Sequence, residues 1–250
     1  MARIITLLTD FGTADGYVGE MKGVLLTGAP DASLVDITHE IPAQDVEAAR
    51  LALARVWRRF PPGTVHLVVV DPGVGTDRAA LAVASDERFL VGPDNGVLSP
   101  ALLIAGSRVV ALESPSNASA TFHGRDVFAP AAARLASGVA IETLGLPATQ
   151  PRIRRTPEPR RTGDGALLGE VISIDRFGNA ITNLVALGTG TVEAAGVALP
   201  LRRTYGEVPV GAPVAIVGSS GLIELAVRDG NAARVLQLTR GSAVLYRAVL

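Results

Sequence analysis

The chain has 250 residues, of which 48% are hydrophobic and 19% charged, with a formal net charge of -1 and no cysteine. That length suits one large domain or two of ordinary size with a substantial core, and the apolar content excludes disorder. The near-neutral charge gives no electrostatic reason to expect nucleic acid or an anionic membrane as partner; the missing thiols exclude cysteine nucleophiles, disulfides and thiolate metal sites, and the cytoplasm is the expected compartment.

The apolar start up to Leu8 stops at Thr9-Asp10, too early for a signal peptide, and predicts a first strand. No apolar run approaches the length of a membrane span, so a soluble chain is expected. Tyr17 to Leu26 has helical spacing, Ser33 to Asp36 is strand-like, and Asp45 to Phe60 reads as a helix capped by Asp45 and stopped by Pro61-Pro62-Gly63. The run Val65 to Val70, broken only by His66, predicts a buried strand that delivers Asp71 to the turn Pro72-Gly73-Val74-Gly75, with Arg78 closing it. Ala79 to Ala84 and Phe89 to Val91 predict a hairpin, Leu98 to Ile104 a short helix, Val109 to Leu112 a strand, and Val127 to Ser137 an Ala-rich helix.

This alternation predicts an α/β domain over residues 1–150 with a mostly parallel or mixed sheet. The Pro- and Arg-dense stretch 151–164 reads as a linker. Short apolar runs with turns between them then predict a smaller all-β, barrel-like domain over 165–250.

Polar clusters fall where the chain turns: Asp10 with Phe11, Asp71 with Arg78, Asp94 with Asn95, and His123 with Arg125 and Asp126. The carboxyl edge of a parallel sheet collects such loops, which makes a shared crevice the functional reading; tight turns with surface ion pairs are the alternative. His66 inside its strand reads as a hydrogen-bonded core residue, while His39 suits a structural role as well as a place at the edge. The chain lacks His-x-x-x-His and Asp-x-Asp spacings, and Arg78 would oppose a nearby cation, so no metal is expected. In the second half, Asp175-Arg176-Phe177-Gly178-Asn179 suits either a flat heteroaromatic ring, stacked by Phe and read by the Asn amide, or a plain β-turn. Gly218-Ser219-Ser220-Gly221 and Gly230-Asn231-Ala232-Ala233 share that ambiguity.

Together, Thr9-Asp10-Phe11-Gly12, Asp71 through Gly75 with Arg78, Gly92-Pro93-Asp94-Asn95-Gly96, Phe122-His123-Gly124-Arg125-Asp126, Phe177-Gly178-Asn179 and Gly230-Asn231-Ala232-Ala233 resemble the S-adenosylmethionine (SAM) hydroxide adenosyltransferase family, the SAM hydrolases related to fluorinase and chlorinase. The resemblance implies attack of water or hydroxide on ribose C5′ of S-adenosyl-L-methionine, giving adenosine and L-methionine, with no metal or other cofactor. It also implies a homotrimer with sites at subunit interfaces. Asp71, Arg78 and His123 match the water-activating triad, and Asp10 matches the acid that binds the ribose hydroxyls. Phe177 and Asn179 match the adenine pair, and Asp175 and Ser219 the positions that hold the methionine ammonium. Phe11, Asn95 and Ala233, in the same matching segments, count with the substrate-binding positions. The halogenating relatives carry Arg after the serine where this chain has Ser220, which leaves the methionine carboxylate without an assigned partner. A halide-using adenosyl transferase and a non-catalytic adenosine or SAM binding module are the competing readings.

Overall fold

A computed structural model describes residues 3–249, which divide into two compact units at Arg154/Arg155. In the first unit, β1 (Ile4–Thr9), β2 (Ser33–Thr38), β3 (Val65–Val69), β4 (Ala80–Ser85), β5 (Arg88–Pro93), β6 (Arg108–Leu112) and β7 (Gly145–Pro147) form one sheet in the order β2-β1-β3-β5-β4-β6-β7. The β2, β1, β3 and β5 pairings are parallel and those of β4, β6 and β7 antiparallel, so the sheet is mixed. Side-chain alternation splits β3 between two cores. Leu67 and Val69 pack with α1 (Tyr17–Gly28) and α4 (Ala129–Ala136), whereas Val68 and Val70 pack with α2 (Val46–Val56) and the one-turn helix α3 (Ser99–Leu102). Burial on both faces is why β3 reads as an unbroken apolar run rather than an alternating one.

Local chemistry fixes the connections. Asp45 caps α2 by accepting from the Ala48 amide at 2.9 Å. Asp86 and Glu87 both take positive φ (48° and 59°), the turn geometry that matches the twist of the β4–β5 hairpin. Because β2 and β3 flank β1, the chain leaves the carboxyl end of β1 toward one side and returns on the other. Crevices of α/β sheets form at such reversals, and Asp10 and Asp71 follow the two strands that border this one. The segment expected as a linker is divided: the Arg152 amide donates to Asp94 Oδ1 at 2.7 Å, while β8 (Arg160–Arg161) pairs with Leu167 and Leu168 in the second unit.

In the second unit, β9 (Leu167–Ile174), β10 (Ala180–Val185), β11 (Thr189–Ala194), β12 (Val197–Arg202), β13 (Pro213–Val217), β14 (Leu222–Val227) and β15 (Ala243–Val249) close into a seven-stranded barrel through the β9–β10 pairing, with β12–β13 parallel. Ile223, Leu225, Val192, Val244 and Tyr246 fill it, and Tyr246 satisfies its buried hydroxyl by donating to the Gly188 carbonyl at 2.9 Å. Strand β11 escapes sequence reading because Thr-Gly-Thr-Val-Glu-Ala buries only Val192 and Ala194. The four-residue helix α5 (Ala232–Val235) is likewise without a sequence signal.

Candidate active site

The turn after β3 is built from its own residues. The Val74 and Thr76 amides donate to the carbonyls of Asp71 (3.3 Å) and Gly73 (3.2 Å), and the Thr76 hydroxyl also donates to Gly73. Gly75 sits at φ 76°, and a Cβ there would lie 2.6 Å from the Ala120 carbonyl. Only glycine lets this turn approach the segment that leads to His123.

Arg78 joins the two. Its Nε donates to Asp71 Oδ1 at 3.1 Å, and its Nη2 donates both to Asp71 Oδ2 and to His123 Nδ1, the latter at 3.1 Å. Nη1 donates to the Ala79 carbonyl, and the guanidinium lies 5.3 Å over the Phe128 ring. The side chains of Arg78 and Asp71 are 4% and 6% exposed. Burial raises the Asp71 pKa above that of an ordinary aspartate, opposed chiefly by the Arg78 charge and its hydrogen bonds. Since a guanidinium only donates, His123 Nδ1 accepts, which assigns the neutral tautomer with its proton on Nε2. His123 opens a π-helical turn, Gly124–Phe128, a deviation that recurs at functional sites.

Asp10 Oδ2 accepts from the Gln44 amide at 2.7 Å. Phe11, Tyr17 and Phe122 form an aromatic group with centroids 5.3 to 5.9 Å apart, linking the loop after β1 with the residue before His123. Tyr17, with 48% of its surface exposed, carried no sequence signal beyond helical spacing. The Asn95 side chain donates to the Val70 carbonyl (2.8 Å), next to Asp71, and accepts from the Val97 amide (3.1 Å) within its own turn.

In the second unit, Asp175 organises its own turn. Oδ1 accepts from the Phe177 and Asn179 amides at 2.9 and 2.8 Å, and Oδ2 accepts from the Asn179 side chain at 2.9 Å. Phe177 is left 75% exposed and Asn179 buried. Gly178, at φ 87°, lies under Asn231, and its carbonyl accepts from the Ala233 amide at 2.9 Å. The two Gly-Asn segments are thus one structure, and the Ala233 donor is internal to it. Ser219 is exposed in the β13–β14 turn, beside Gly218, whose missing Cβ leaves room for the buried Glu224 carboxylate. Burial and the charges of Glu224 and Asp175 raise the Tyr205 pKa, which places both acids near that phenol. Glu224, flanked by apolar strand residues, gave no sequence signal.

Among the described residues no group of three or more His, Asp or Glu is placed to hold a metal ion. A buried carboxylate of raised proton affinity beside an oriented imidazole is the equipment of an enzyme that activates a small nucleophile. Family models described as the SAM hydroxide adenosyltransferase N-terminal and C-terminal domains match residues 5–145 and 169–245. The chain belongs to the SAM hydroxide adenosyltransferase family. It is 45% identical to an (R)-S-adenosyl-L-methionine hydrolase of Thermus thermophilus over 97% of this chain and 98% of that one. It is 29% identical to a fluorinase of Nocardia brasiliensis, over 96% and 95% of the two chains. A crystal structure of an uncharacterized conserved protein from Thermotoga maritima superposes with a TM-score of 0.89 at 33% identity, covering 98% of this chain and all of that one.

Proposed function

We propose that this chain hydrolyses S-adenosyl-L-methionine at ribose C5′ to adenosine and L-methionine. The observation that carries the reading is the Arg78 bridge between a buried carboxylate and an oriented imidazole. As water attacks, the C5′–O bond forms while the C5′–S bond breaks, and the sulfonium takes the bonding pair to leave as a neutral thioether. No acid is needed for such a leaving group; the water must lose a proton. With Nδ1 occupied by Arg78 and the proton on Nε2, His123 donates to the nucleophile and orients it, and Asp71 accepts the proton. Attack and departure neutralise charge, so a site poor in water favours the transition state when fixed groups hold the reactants in line.

Asp10 holds the ribose hydroxyls, beside Phe11. Phe177 stacks on adenine and Asn179 reads its edge, with Ala233 supporting the turn beneath them; Asp175 and Ser219 take the methionine ammonium, and Asn95 acts by bracing the strand end. A homotrimer, in which one subunit's second domain serves its neighbour's first, and independence of metal follow the family pattern. The T. thermophilus relative's name specifies the (R) sulfonium, and the same epimer is the substrate here. A halide nucleophile is disfavoured because the Asp71 carboxylate would repel it in a dry site.

Incubation with SAM in heavy-oxygen water, followed by mass spectrometry, tests the reaction: adenosine carrying one heavy oxygen is expected. Adenosine without label, or none, overturns it.

A further inference from the structure

We infer that His39 is a positioning residue for Asp10, acting through Thr9 and through its own backbone, an inference that rests on the ribose-binding reading of Asp10. His39 is 4% exposed, in the loop after β2. Its Nδ1 lies 2.8 Å from Thr9 Oγ1, and the same hydroxyl oxygen accepts from the Phe11 amide at 3.3 Å. Asp36 Oδ1, which can only accept, faces Nε2, so the imidazole proton sits on Nε2 and Nδ1 accepts the Thr9 hydroxyl proton. Nε2 is 3.1 Å from Asp36 Oδ1, an ion-pair distance without the alignment of a hydrogen bond, and Asp36 is held by Lys22 Nζ at 2.7 Å.

The loop grips the same turn by its backbone. The His39 carbonyl accepts from the Gly12 amide at 2.8 Å, the Ile41 amide donates to the Thr9 carbonyl at 3.4 Å, and the Gln44 amide donates to Asp10 Oδ2. Gln44 adopts φ 66°, a left-handed conformation unfavourable for a residue with a side chain, and Gly12 adopts φ 65°. Residues 9–12 are thus bonded on both sides of Asp10, one carboxylate oxygen is committed to an aimed amide, and Oδ1 has no protein partner among the described residues. The arrangement presents a single carboxylate oxygen in a fixed direction, which is what recognition of a ribose hydroxyl requires and what a plain surface turn does not. A buried imidazole spent on a threonine hydroxyl has its purpose in holding that direction.

The test is calorimetric titration of the full chain with adenosine and with 2′,3′-dideoxyadenosine, which lacks the hydroxyls. Wild type should prefer adenosine, and Asp10→Asn should lose that preference. His39→Leu and Thr9→Val should each reduce it about tenfold, the scale of one hydrogen bond to a charged group, while His39→Asn, which keeps a polar atom where Nδ1 stands, should restore it. If wild type takes both ligands equally, the ribose reading fails and the clamp with it. If Asp10→Asn abolishes the preference but His39→Leu and Thr9→Val keep it, or weaken both ligands alike, the ribose reading stands and the positioning role is overturned. Thr9→Val, a near-isosteric change, decides the matter should His39→Leu not fold.

Discussion

Arg78 Nη2 stands 3.1 Å from His123 Nδ1, and because a guanidinium has no lone pair to offer, this one contact makes Nδ1 the acceptor and leaves the imidazole proton on Nε2. The same side chain opposes the upward push of burial on Asp71. Asp71 must be ionised to accept a proton, so activity falls as pH drops through its pKa, and the acid limb of kcat/KM lies above the 3.8 of an ordinary aspartate. Arg78→Leu removes the main opposition, moves that limb to higher pH and lowers the rate at neutral pH by roughly a hundredfold or more. A pH-rate profile of the two proteins checks it; a limb that does not move would argue against Asp71 as the titrating group.

Phe177 is 75% exposed, so its ring contributes little to the fold. Phe177→Ala should change stability by no more than about 0.5 kcal/mol while raising KM for SAM about tenfold through lost stacking. Thermal unfolding and Michaelis kinetics together separate the two effects. An unchanged KM would remove Phe177 from the substrate site.

Gly178→Ala meets two obstacles, a φ of 87° and a Cβ that would fall 2.1 Å from Asn231. The substitution should cost at least about 1 kcal/mol of stability and more in substrate affinity, because Asn179 turns with the loop. Urea denaturation read beside product formation measures both. Stability within error of wild type would mean that the loop relaxes freely.

His66 is fully buried, bonded through Nδ1 to Thr6 Oγ1 at 2.7 Å, and burial together with the Arg88 charge lowers its pKa to about 4. The folded state therefore favours the neutral ring. Its contribution is complete above the unfolded value near 6.5 and is lost as pH falls toward 4, in total about 3 kcal/mol. Denaturant midpoints from pH 7 to 4 should show this loss in wild type and a shallower one in His66→Gln. Parallel curves for the two proteins would assign acid sensitivity elsewhere.

Much of the architecture is legible in the chain because burial periodicity is local. The unbroken run of β3, the cap at Asp45 and the recurrent short runs after Gly169 each predict an element from neighbouring residues alone. Strand β11 is not legible, since a barrel strand of small residues with one large buried side chain has no periodic signature. That the Asn95 side chain reaches the Val70 carbonyl beside Asp71 is likewise not legible, because it depends on strand order and not on motif.

The residue types on hand, the turns that hold them and the alternation that makes a mixed α/β sheet followed by a barrel are all written in the sequence. Which residues meet is settled only by the packed fold. Arg78 and His123 are 45 residues apart, Gly178 lies beneath Asn231, and His39 reaches Thr9 across the β1–β2 pair. The reason is physical: propensity and hydrophobic period act over a few residues, whereas the direction of a carboxylate or the tautomer of an imidazole depends on partners that only the packed sheet brings within hydrogen-bonding distance.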